Sequence, residues 1–396
     1  MRKRVLVNGI SFNLGGSITV IRHLLDALLN QDQEYEYHLL VPGSISSVFS
    51  GFDQSRIRLI PFSAFSKETL WVERLLSEQV FSPIRLCFKK YDLVFSMGGV
   101  AILASPIPQV LMYQNMAPFE PKVVASAPHN KRLRLWLLKQ IGIVSGRLSQ
   151  KIIFLSRYAQ RSIVPLLKNK ANDSYCIYLG HDPLFSPLAA NNPKARQMLQ
   201  SLGIKPPYLL CVSHFYHYKN LKQLVIAFAK ALPHIPQNIQ LAMVGAEHEK
   251  DYAQEVRKAV SEWGIWNRVV FTGAVPYEKM PGIYANALAF FFPSTVETFP
   301  NILLEAMASG APAFASGLGP IPEIARSGVF YFDPNDVDEM ARVIRLAVEN
   351  EGLRQTLRKE GIKRARQFSW KRMAQEVLSV FDETLKVSPL KRTTKG

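Results

Sequence analysis

Two glutamates, Glu297 and Glu305, are the acids of this 396-residue sequence best placed to do chemistry. Seven residues separate them, and the first follows closely on the apolar run 287–292, which is short and rich in aromatic residues. Such a run is typical of a buried strand. A proline suited to the start of a helix and a glycine suited to its end predict a helix near residues 300–309. Glu297 is therefore expected in a loop after a strand, and Glu305 on the helix that follows.

A loop between a strand and a helix is where parallel α/β sheets bind ligands. The backbone N–H groups of Asn301, Ile302 and Leu303, at the start of the helix, predict a site for an anion such as a phosphate. One acid lies before the helix and another about a turn and a half into it. The two acids can accept hydrogen bonds from hydroxyl groups on either side of the phosphates. A ligand with hydroxyl groups on both sides of its phosphates is a nucleotide-sugar.

Lys219 and His214 are candidates for binding the diphosphate of such a ligand. Lys219 directly precedes the predicted helix 220–232, which follows the predicted strand 208–213. A lysine beside a helix N-terminus adds its charge to N–H groups that already attract an anion. His214 lies five residues earlier, and two alternatives stay open: His214 acts as a weaker, pH-dependent cation, or Lys219 binds the diphosphate nearly alone.

Three further candidates lie in the first half of the chain. Gly15 and Gly16 follow the predicted strand 4–8, and their lack of side chains lets the backbone approach a ligand closely. Their spacing is not G-x-G-x-x-G, so it does not predict a dinucleotide site. Gln114 follows the predicted strand 109–113.

The order of strands and helices predicts two domains. A chain of this length suits two cores, and strands that alternate with helices predict parallel sheets with crossover helices. The stretch 186–207, rich in Pro, Ala and Asn, marks the boundary. We expect an α/β fold with one Rossmann-like domain over residues 1–187 and a second over 188–369. A C-terminal helix over 370–387 and a basic tail over 388–396 follow.

These motifs resemble those of retaining GT-B glycosyltransferases of the GT4 family. The donor-site signature of that family has two glutamates separated by seven residues. The flanking residues follow its pattern at Pro293-Ser294, Phe299, Leu304-Glu305-Ala306-Met307-Ala308, Gly310, Pro312 and Pro322-Glu323. The glycine pair matches the family's glycine-rich loop, and Ser369-Trp370 resembles the start of a last helix that crosses back onto the first domain. The resemblance implies two doubly wound parallel-sheet domains that face each other across a cleft.

The resemblance also implies roles for the candidate residues. Glu297, with the N–H groups beside it at Thr298 and Phe299, would hold the far hydroxyls of the sugar and orient its anomeric carbon. Glu305 would hold the ribose hydroxyls, and Lys219 would neutralise the leaving diphosphate.

Two of the candidate positions depart from the family pattern. Ser213-His214 stands where the family has a Gly-Arg pair. Gln114 stands where related enzymes often have a histidine near the donor sugar. An amide can donate a hydrogen bond to a sugar or a phosphate but cannot take up a proton.

The implied function is retaining transfer of a hexose from a nucleotide diphosphate sugar to a hydroxyl of a glycan or lipid-linked acceptor, as in cell-surface polysaccharide or lipopolysaccharide biosynthesis. We expect no metal and no other cofactor. The acceptor proton would pass most simply to the leaving phosphate, because no conventional base is identifiable. A sugar-nucleotide epimerase of the same architecture stays open, and it would convert the donor without an acceptor. A basic nucleic-acid-binding module would leave the glutamate motif unexplained, so we expect no nucleic-acid partner.

The net charge of +17 is unevenly distributed, since residues 121–172 contain eleven Lys and Arg but no acid. The predicted amphipathic helix 131–150 lies in this interval, and it could bind an anionic membrane surface or bury its apolar face in the first domain. No apolar segment reaches the ~20 residues that a membrane span needs. Three scattered cysteines predict no disulfide framework. We expect a cytoplasmic protein, either free or peripheral on the inner face of the membrane.

Overall fold

The computed structural model of the chain describes residues 2–10, 16–62, 73, 76–127, 129–191 and 193–387. Within this part the chain divides into two compact units. The first contains the residues up to Gly180 together with the helix that begins at Trp370, and the second is His181–Ser369. Each unit is built on one parallel β-sheet with its own buried core.

The first unit contains a seven-stranded parallel sheet of order β3-β2-β1-β4-β5-β6-β7. Its strands are β1 (Lys3–Asn8), β2 (Tyr35–Pro42), β3 (Ile57–Phe62), β4 (Leu93–Met97), β5 (Gln109–Tyr113), β6 (Lys151–Phe154) and β7 (Ser174–Cys176). The direction of winding reverses between β1 and β4. The carboxyl ends of these two strands therefore form the switch point at which doubly wound sheets bind ligands.

The helices of the first unit cover the two faces of its sheet. They are α1 (Gly16–Gln31), α2 (Ser82–Phe88), α3 (Pro121–Ser126), α4 (His129–Leu148) and α5 (Arg157–Ile163), and a π-helical turn over Ser77–Phe81 leads into α2. Ser156 caps α5, because its hydroxyl accepts a hydrogen bond from the Ala159 N–H at 3.2 Å. Of the stretch 68–81, which leads into α2, only residue 73 and residues 76–81 lie in the described part.

The second unit repeats the same doubly wound plan with six parallel strands in the order β10-β9-β8-β11-β12-β13. These strands are β8 (Tyr208–Val212), β9 (Gln240–Val244), β10 (Val269–Gly273), β11 (Ala289–Phe292), β12 (Ala313–Ser316) and β13 (Val329–Phe332). Its helices are α6 (Pro193–Ser201), α7 (Leu221–Ala231), α8 (Lys250–Glu262), α9 (Met280–Ala285), α10 (Asn301–Ala308), α11 (Ile321–Ala325), α12 (Val337–Glu349) and α13 (Glu351–Ala365). The winding reverses between β8 and β11, so their carboxyl ends mark the expected ligand position.

The last helix, α14 (Trp370–Val387), packs against α1 in the first unit. The Trp370 ring stacks on His23 with a centroid distance of 5.3 Å. Near the end of the helix the Tyr35 hydroxyl donates to the Asp382 carboxylate at 2.6 Å. The predicted tail 388–396 lies outside the described residues. None of the described helices combines the length and the apolar character needed to cross a membrane.

Short 3₁₀ turns connect several of these elements. They are Gly43–Phe49, Ala117–Phe119, Val164–Leu166, Pro187–Asn191, His217–Lys219, Leu232–His234, Trp266–Arg268, Tyr277–Lys279 and Arg326–Gly328.

Candidate functional site

The loops that follow β8 and β11 meet at the switch point of the second sheet. The Thr295 backbone N–H and side-chain hydroxyl both donate to the Tyr218 carbonyl oxygen, at 2.8 and 2.9 Å. These two hydrogen bonds tie the loop that carries Glu297 to the loop that carries Lys219. Residues 78 positions apart in the sequence are thereby brought together.

Lys219 and Glu297 form an ion pair in this position. The distance from Nζ to Oε1 is 2.5 Å, and the side chains are only 12% and 11% exposed. The ammonium group also lies over the rings of Tyr218 and Phe292, at 5.3 and 5.7 Å from their centroids. The pair holds a positive and a negative group at the edge where a phosphate and a sugar would arrive. The structure thus brings together the two residues that the sequence predicted separately.

Glu305 lies on α10 and is 6% exposed. Its carboxylate accepts hydrogen bonds from the Tyr277 hydroxyl at 3.3 Å, the Tyr284 hydroxyl at 3.4 Å and the Asn301 side-chain amide at 3.0 Å. In the part of the chain that the structure describes, no lysine or arginine pairs with it. Burial raises the pKa of Glu305 to about 8, although the two tyrosine hydroxyls act in the opposite direction. Near neutral pH this carboxyl group can therefore accept a hydrogen bond from a hydroxyl or donate one.

The start of α10 differs in one respect from the prediction. The backbone N–H of Asn301 is not free for an anion, because it donates to the Phe299 carbonyl oxygen at 2.9 Å. Pro300 lies one position before the helix instead of inside it, and this places Asn301 at the first helical position. Ile302 follows in the first turn and is half-buried. The predicted role of these two residues in donor binding stays a prediction.

Thr298 and Phe299 occupy the end of the same loop. The Phe299 side chain is buried against Phe368, with the rings edge to face at a centroid distance of 6.0 Å. Phe299 therefore anchors the loop to the core of the second unit through its side chain. Thr298 is half-buried.

His214 lies two residues after β8, half-buried. Its Nδ1 atom accepts a hydrogen bond from the Ala246 backbone N–H at 3.2 Å, and its ring lies edge to face with His248 at a centroid distance of 4.5 Å. Burial, followed by the neighbouring His248 and Lys219, lowers the pKa of His214 to about 4. A buried ring beside other basic groups resists protonation, and this favours the alternative in which Lys219 supplies the positive charge nearly alone.

The candidates of the first unit lie at the carboxyl edge of its sheet. Gly16 is the first residue of α1, and a Cβ atom built on it would meet no atom within 4 Å. Gly15 lies outside the described residues. Gln114 directly follows β5, is half-buried, and has its amide nitrogen 3.4 Å from the sulfur of Met112. The roles predicted for these residues stay predictions.

One aspartate pair, Asp336 and Asp338, has the alternate spacing that a metal site can use. Both carboxylates are engaged in the fold. Asp336 caps α12 by accepting the Glu339 N–H at 2.8 Å, and Asp338 pairs with Lys230 at 2.6 Å. Within the described ranges, no group of three or more His, Cys, Asp or Glu residues could hold a metal ion.

The sequence did not point to the residues that surround the candidate groups. Tyr277 and Tyr284 reach Glu305 from a turn and a helix that lie 28 and 21 positions earlier. Ala246 reaches His214 across 32 positions. Neither Tyr277 nor Tyr284 has a distinguishing sequence signal.

Helix α4 carries a second unusual surface. The side of this helix that packs on the sheet is made of small residues, Gly142, Ser145 and Gly146, all of them buried. Four of its large apolar residues, Leu135, Leu138, Ile141 and Ile143, are half-buried, but five others are exposed, with Trp136 at 53%. The exposed residues are Leu133, Trp136, Leu137, Val144 and Leu148. The alternative in which this helix buries its apolar face is therefore wrong for these residues.

The neighbouring segment 76–88 also exposes apolar side chains. Phe88 is 85% exposed, and the others are Leu76, Val80, Phe81 and Ile84. Hydrogen bonds from Gln79 to Ala101, and from Ala101 to the Ser145 hydroxyl, connect this segment to α4 through the loop after β4. We call the exposed apolar residues of these two segments the apolar surface of the first unit.

Two doubly wound parallel sheets, with acids and a lysine at the strand ends of the second, define a protein of the GT-B class. Residues 196–364 match the family described as glycosyl transferases group 1. This match covers most of the second unit and agrees with the resemblance to the GT4 family.

Comparison with known proteins agrees with this fold. The chain is 32% identical to the O-antigen chain mannosyltransferase B of Escherichia coli over 111 residues, which are 28% of this chain and 29% of that protein. It spans less than two thirds of the length of the curated relatives that it matches first.

Two solved structures share the fold over nearly the whole chain. Sucrose-phosphate synthase from Thermosynechococcus elongatus is 19% identical with a TM-score of 0.77, over 98% of this chain and all of that chain. Anabaena HepE in complex with UDP and glucose is 20% identical with a TM-score of 0.74, over 96% of this chain and all of that chain. At these identities the likeness concerns the fold.

Proposed function

We propose that the protein is a retaining glycosyltransferase that moves a hexose from a nucleotide diphosphate sugar to a hydroxyl of a glycan or lipid-linked acceptor. The observation that carries the proposal is the ion pair of Lys219 with Glu297 at the switch point of the second sheet, with Glu305 buried on the adjoining helix. In this arrangement Lys219 would bind the diphosphate of the donor, Glu297 its sugar and Glu305 its ribose.

Lys219 and Glu297 have different roles in the proposed reaction. Negative charge grows on the diphosphate as the glycosidic bond breaks, and a preorganised cation stabilises it most in the transition state. Lys219 supplies that cation, and the donor phosphate replaces Glu297 as its partner. Glu297 is then released to accept hydrogen bonds from the sugar. The acceptor proton passes to the leaving phosphate.

Two of the similar proteins support this choice of substrates. HepE holds UDP and glucose, and the Escherichia coli relative is named for a step in O-antigen chains. We therefore propose a UDP- or GDP-linked hexose as donor, and an acceptor that belongs to cell-surface polysaccharide or lipopolysaccharide synthesis.

The proposal is tested by measuring nucleotide release from a panel of UDP- and GDP-hexoses, with and without acceptor glycans. Glu297→Gln keeps the size of the side chain but removes its charge. We expect this variant to lose about 100-fold or more in kcat, because an interaction made in the transition state is removed. Glu349→Gln is the matched control, since Glu349 is exposed on α12 and pairs only with the nearby Arg345 among the described residues.

The outcomes separate the candidate functions. Release that depends on an acceptor and on Glu297 supports glycosyl transfer. Conversion of the donor into an epimer without any acceptor would replace transfer by epimerisation. Unchanged turnover in Glu297→Gln would remove Glu297 from the reaction.

We further propose that the first unit is the acceptor side and that it binds an anionic membrane surface. Exposed apolar residues lie on α4, within the acid-free interval 121–172, and also on the segment 76–88. Tryptophan and basic residues together are typical of helices that lie in the membrane interface. A cytoplasmic protein peripheral on the inner leaflet would meet a lipid-linked acceptor there.

A further inference from the structure

We propose that His214 binds the donor diphosphate as an uncharged hydrogen-bond donor through its Nε2–H group, with the tautomer fixed by Ala246 and the ring held by His248. This assignment rests on the proposed function and adds the chemical state of one group in its site. Lys219 then supplies the positive charge at this place, and His214 supplies a directed hydrogen bond.

The tautomer follows from the backbone around Ala246. The Ala246 N–H donates to Nδ1 of His214 at 3.2 Å, so Nδ1 must be the unprotonated nitrogen. Ala246 cannot turn away easily, because its carbonyl oxygen accepts the Phe215 N–H at 3.0 Å. The preceding Gly245 has φ of +150°, and a Cβ atom there would overlap the Ser213 carbonyl oxygen. The proton of the neutral ring is therefore on Nε2.

The Nε2 atom is available for a ligand. Among the residues that the structure describes, no hydrogen-bond partner of Nε2 is found. His214 lies two residues after β8 at the switch point and belongs to the same loop as Lys219. A donor in this position is suited to a phosphate oxygen, which accepts strong hydrogen bonds.

The surroundings keep the ring in place and uncharged. His248 contacts the His214 ring edge to face and stacks on Tyr216 at a centroid distance of 5.7 Å. Tyr216 stacks in turn on Tyr218 at 5.4 Å, and the Tyr218 ring lies beside the Lys219 ammonium. A continuous series of ring contacts thus connects His214 to Lys219.

The titratable groups around this stack are Lys219, His248, His217 and the glutamates Glu297, Glu249 and Glu255. Glu297 pairs with Lys219, and Glu249 pairs with His217 at 2.8 Å, so neither carboxylate is paired with His214. A second positive charge beside Lys219 would be repelled, in agreement with the lowered pKa of His214.

Long-range ¹H–¹⁵N NMR of the full chain tests the tautomer without any ligand. His214 is assigned by the loss of its signals in His214→Asn. We expect the Nε2–H pattern, unchanged between pH 5.5 and 8.5. An Nδ1–H pattern, or titration of the ring within this range, would overturn the proposal.

Calorimetric binding of UDP-glucose and GDP-mannose tests the contact. Neither diphosphate has a group that titrates near neutrality, so the pH dependence reports on the protein. We expect His214→Ala to weaken binding of the preferred donor about 10-fold or more, by the same factor at pH 6 and pH 8. A loss that grows toward pH 6 would identify a protonated His214 and overturn the proposal. His234→Asn, at an exposed position in the Leu232–His234 turn, is the matched histidine control.

His248 is a positioning residue in this scheme. His248→Ala should weaken donor binding, whereas His248→Phe should restore it, because a ring and not a charge is required. Equal loss in both variants would contradict this role. If neither sugar nucleotide binds the unaltered protein, the proposed function and the diphosphate ligand fail together, while the NMR result still decides the tautomer.

Discussion

At the scale of single residues, Glu305 shows how burial determines chemistry. Its neighbours are two tyrosine hydroxyls and an amide, which stabilise a carboxylate less than a cation would. Burial is therefore not fully offset, and the pKa of Glu305 is raised to about 8. The protein carries a carboxyl group that changes its charge in the physiological range.

This raised pKa predicts that stability falls as pH rises. Folded Glu305 keeps its proton above pH 4.5, where an unfolded glutamate has lost it, so unfolding releases a proton and a higher pH favours it. Between pH 6 and pH 7.5 the contribution of this group should drop by about 2 kcal/mol. Glu305→Gln should remove that part of the pH dependence, as measured by urea unfolding at the two pH values.

Glu349→Gln is the control for this measurement, because that carboxylate is exposed. An identical pH dependence of stability in Glu305→Gln and in the unaltered protein would show that Glu305 ionises normally. Glu305→Gln should also weaken donor binding while it leaves kcat less affected, since the ribose is distant from the reacting bond.

For Lys219 we expect the opposite result, a larger effect on kcat than on donor binding. Lys219→Met keeps the apolar contacts with Tyr218 and Phe292 but removes the charge. Because the charge on the diphosphate is largest in the transition state, kcat should fall about 100-fold or more with a smaller change in KM. Steady-state kinetics with the donor varied will decide, and a loss confined to KM would assign Lys219 to ground-state binding.

Sequence reasoning found the charged residues of the site but not their states. The spacing of Glu297 and Glu305 and the position of Lys219 before a helix are local features, so a single sequence carries them. The partners that set the protonation of Glu305 and His214 come from distant parts of the chain, such as Tyr284 and Ala246. Only the fold brings these groups within hydrogen-bonding distance.

At the scale of elements, the strands were predicted better than the faces of the helices. The strand over Gln109–Tyr113 is confirmed at the same bounds, and the predicted strand 208–213 is confirmed as Tyr208–Val212. The edge strands Ser174–Cys176 and Val329–Phe332 were not predicted, because one is only three residues long and the other carries a single short apolar run. The spacing of apolar residues in α4 indicated an apolar face. Such spacing alone does not tell whether that face is buried or exposed.

The close packing of α4 on the sheet depends on its small residues. The Tyr113 hydroxyl donates to the Gly142 carbonyl oxygen at 2.7 Å. A Cβ atom on Gly146 would lie 2.6 Å from that hydroxyl and 2.9 Å from the Leu167 side chain. The small residues thus let this helix contact the sheet with its least apolar side.

Gly146→Ala should therefore destabilise the protein, although alanine is the better helix former. Overpacking of a tight contact costs about 1 to 3 kcal/mol and exceeds the gain in helix propensity of about 1 kcal/mol. Gly352→Ala is the matched control in α13, where the nearest atom is 3.6 Å away. Chemical denaturation of both variants provides the measurement, and equal stabilisation by both would mean that α4 has room to move.

At the scale of the whole molecule, charge and apolar exposure coincide in sequence. Residues 1–190 carry a net charge of +10 and the remainder +7, and the acid-free interval 121–172 lies in the first unit. Most of the exposed large apolar residues belong to the same unit. A protein that only needed solubility would not expose apolar residues among its basic ones, so this combination favours a membrane surface over a soluble acceptor.

The apolar surface of the first unit therefore predicts membrane binding with two separable components. Each Lys or Arg near an anionic bilayer contributes about 1 kcal/mol, screened beyond roughly 8 to 10 Å at physiological salt. Changing Lys131 and Arg134 to Glu should weaken co-sedimentation with anionic liposomes about 10-fold or more, and added salt should act in the same direction. Arg132 is left intact because its guanidinium group donates to the Ala125 and Ala127 carbonyl oxygens.

The apolar component is measured with Trp136→Ser, which removes an inserted ring without changing the charge. Trp263→Ser is its matched control, since Trp263 is a tryptophan of similar exposure in the second unit. Trp136→Ser should weaken binding to anionic liposomes at high salt as well as at low salt, because apolar insertion is not screened. Equal pelleting with neutral liposomes would contradict the requirement for an anionic surface, and equal effects of the two tryptophan variants would contradict insertion of α4. The transfer of the sugar itself would be unaffected by either result, because Lys219, Glu297 and Glu305 lie in the second unit.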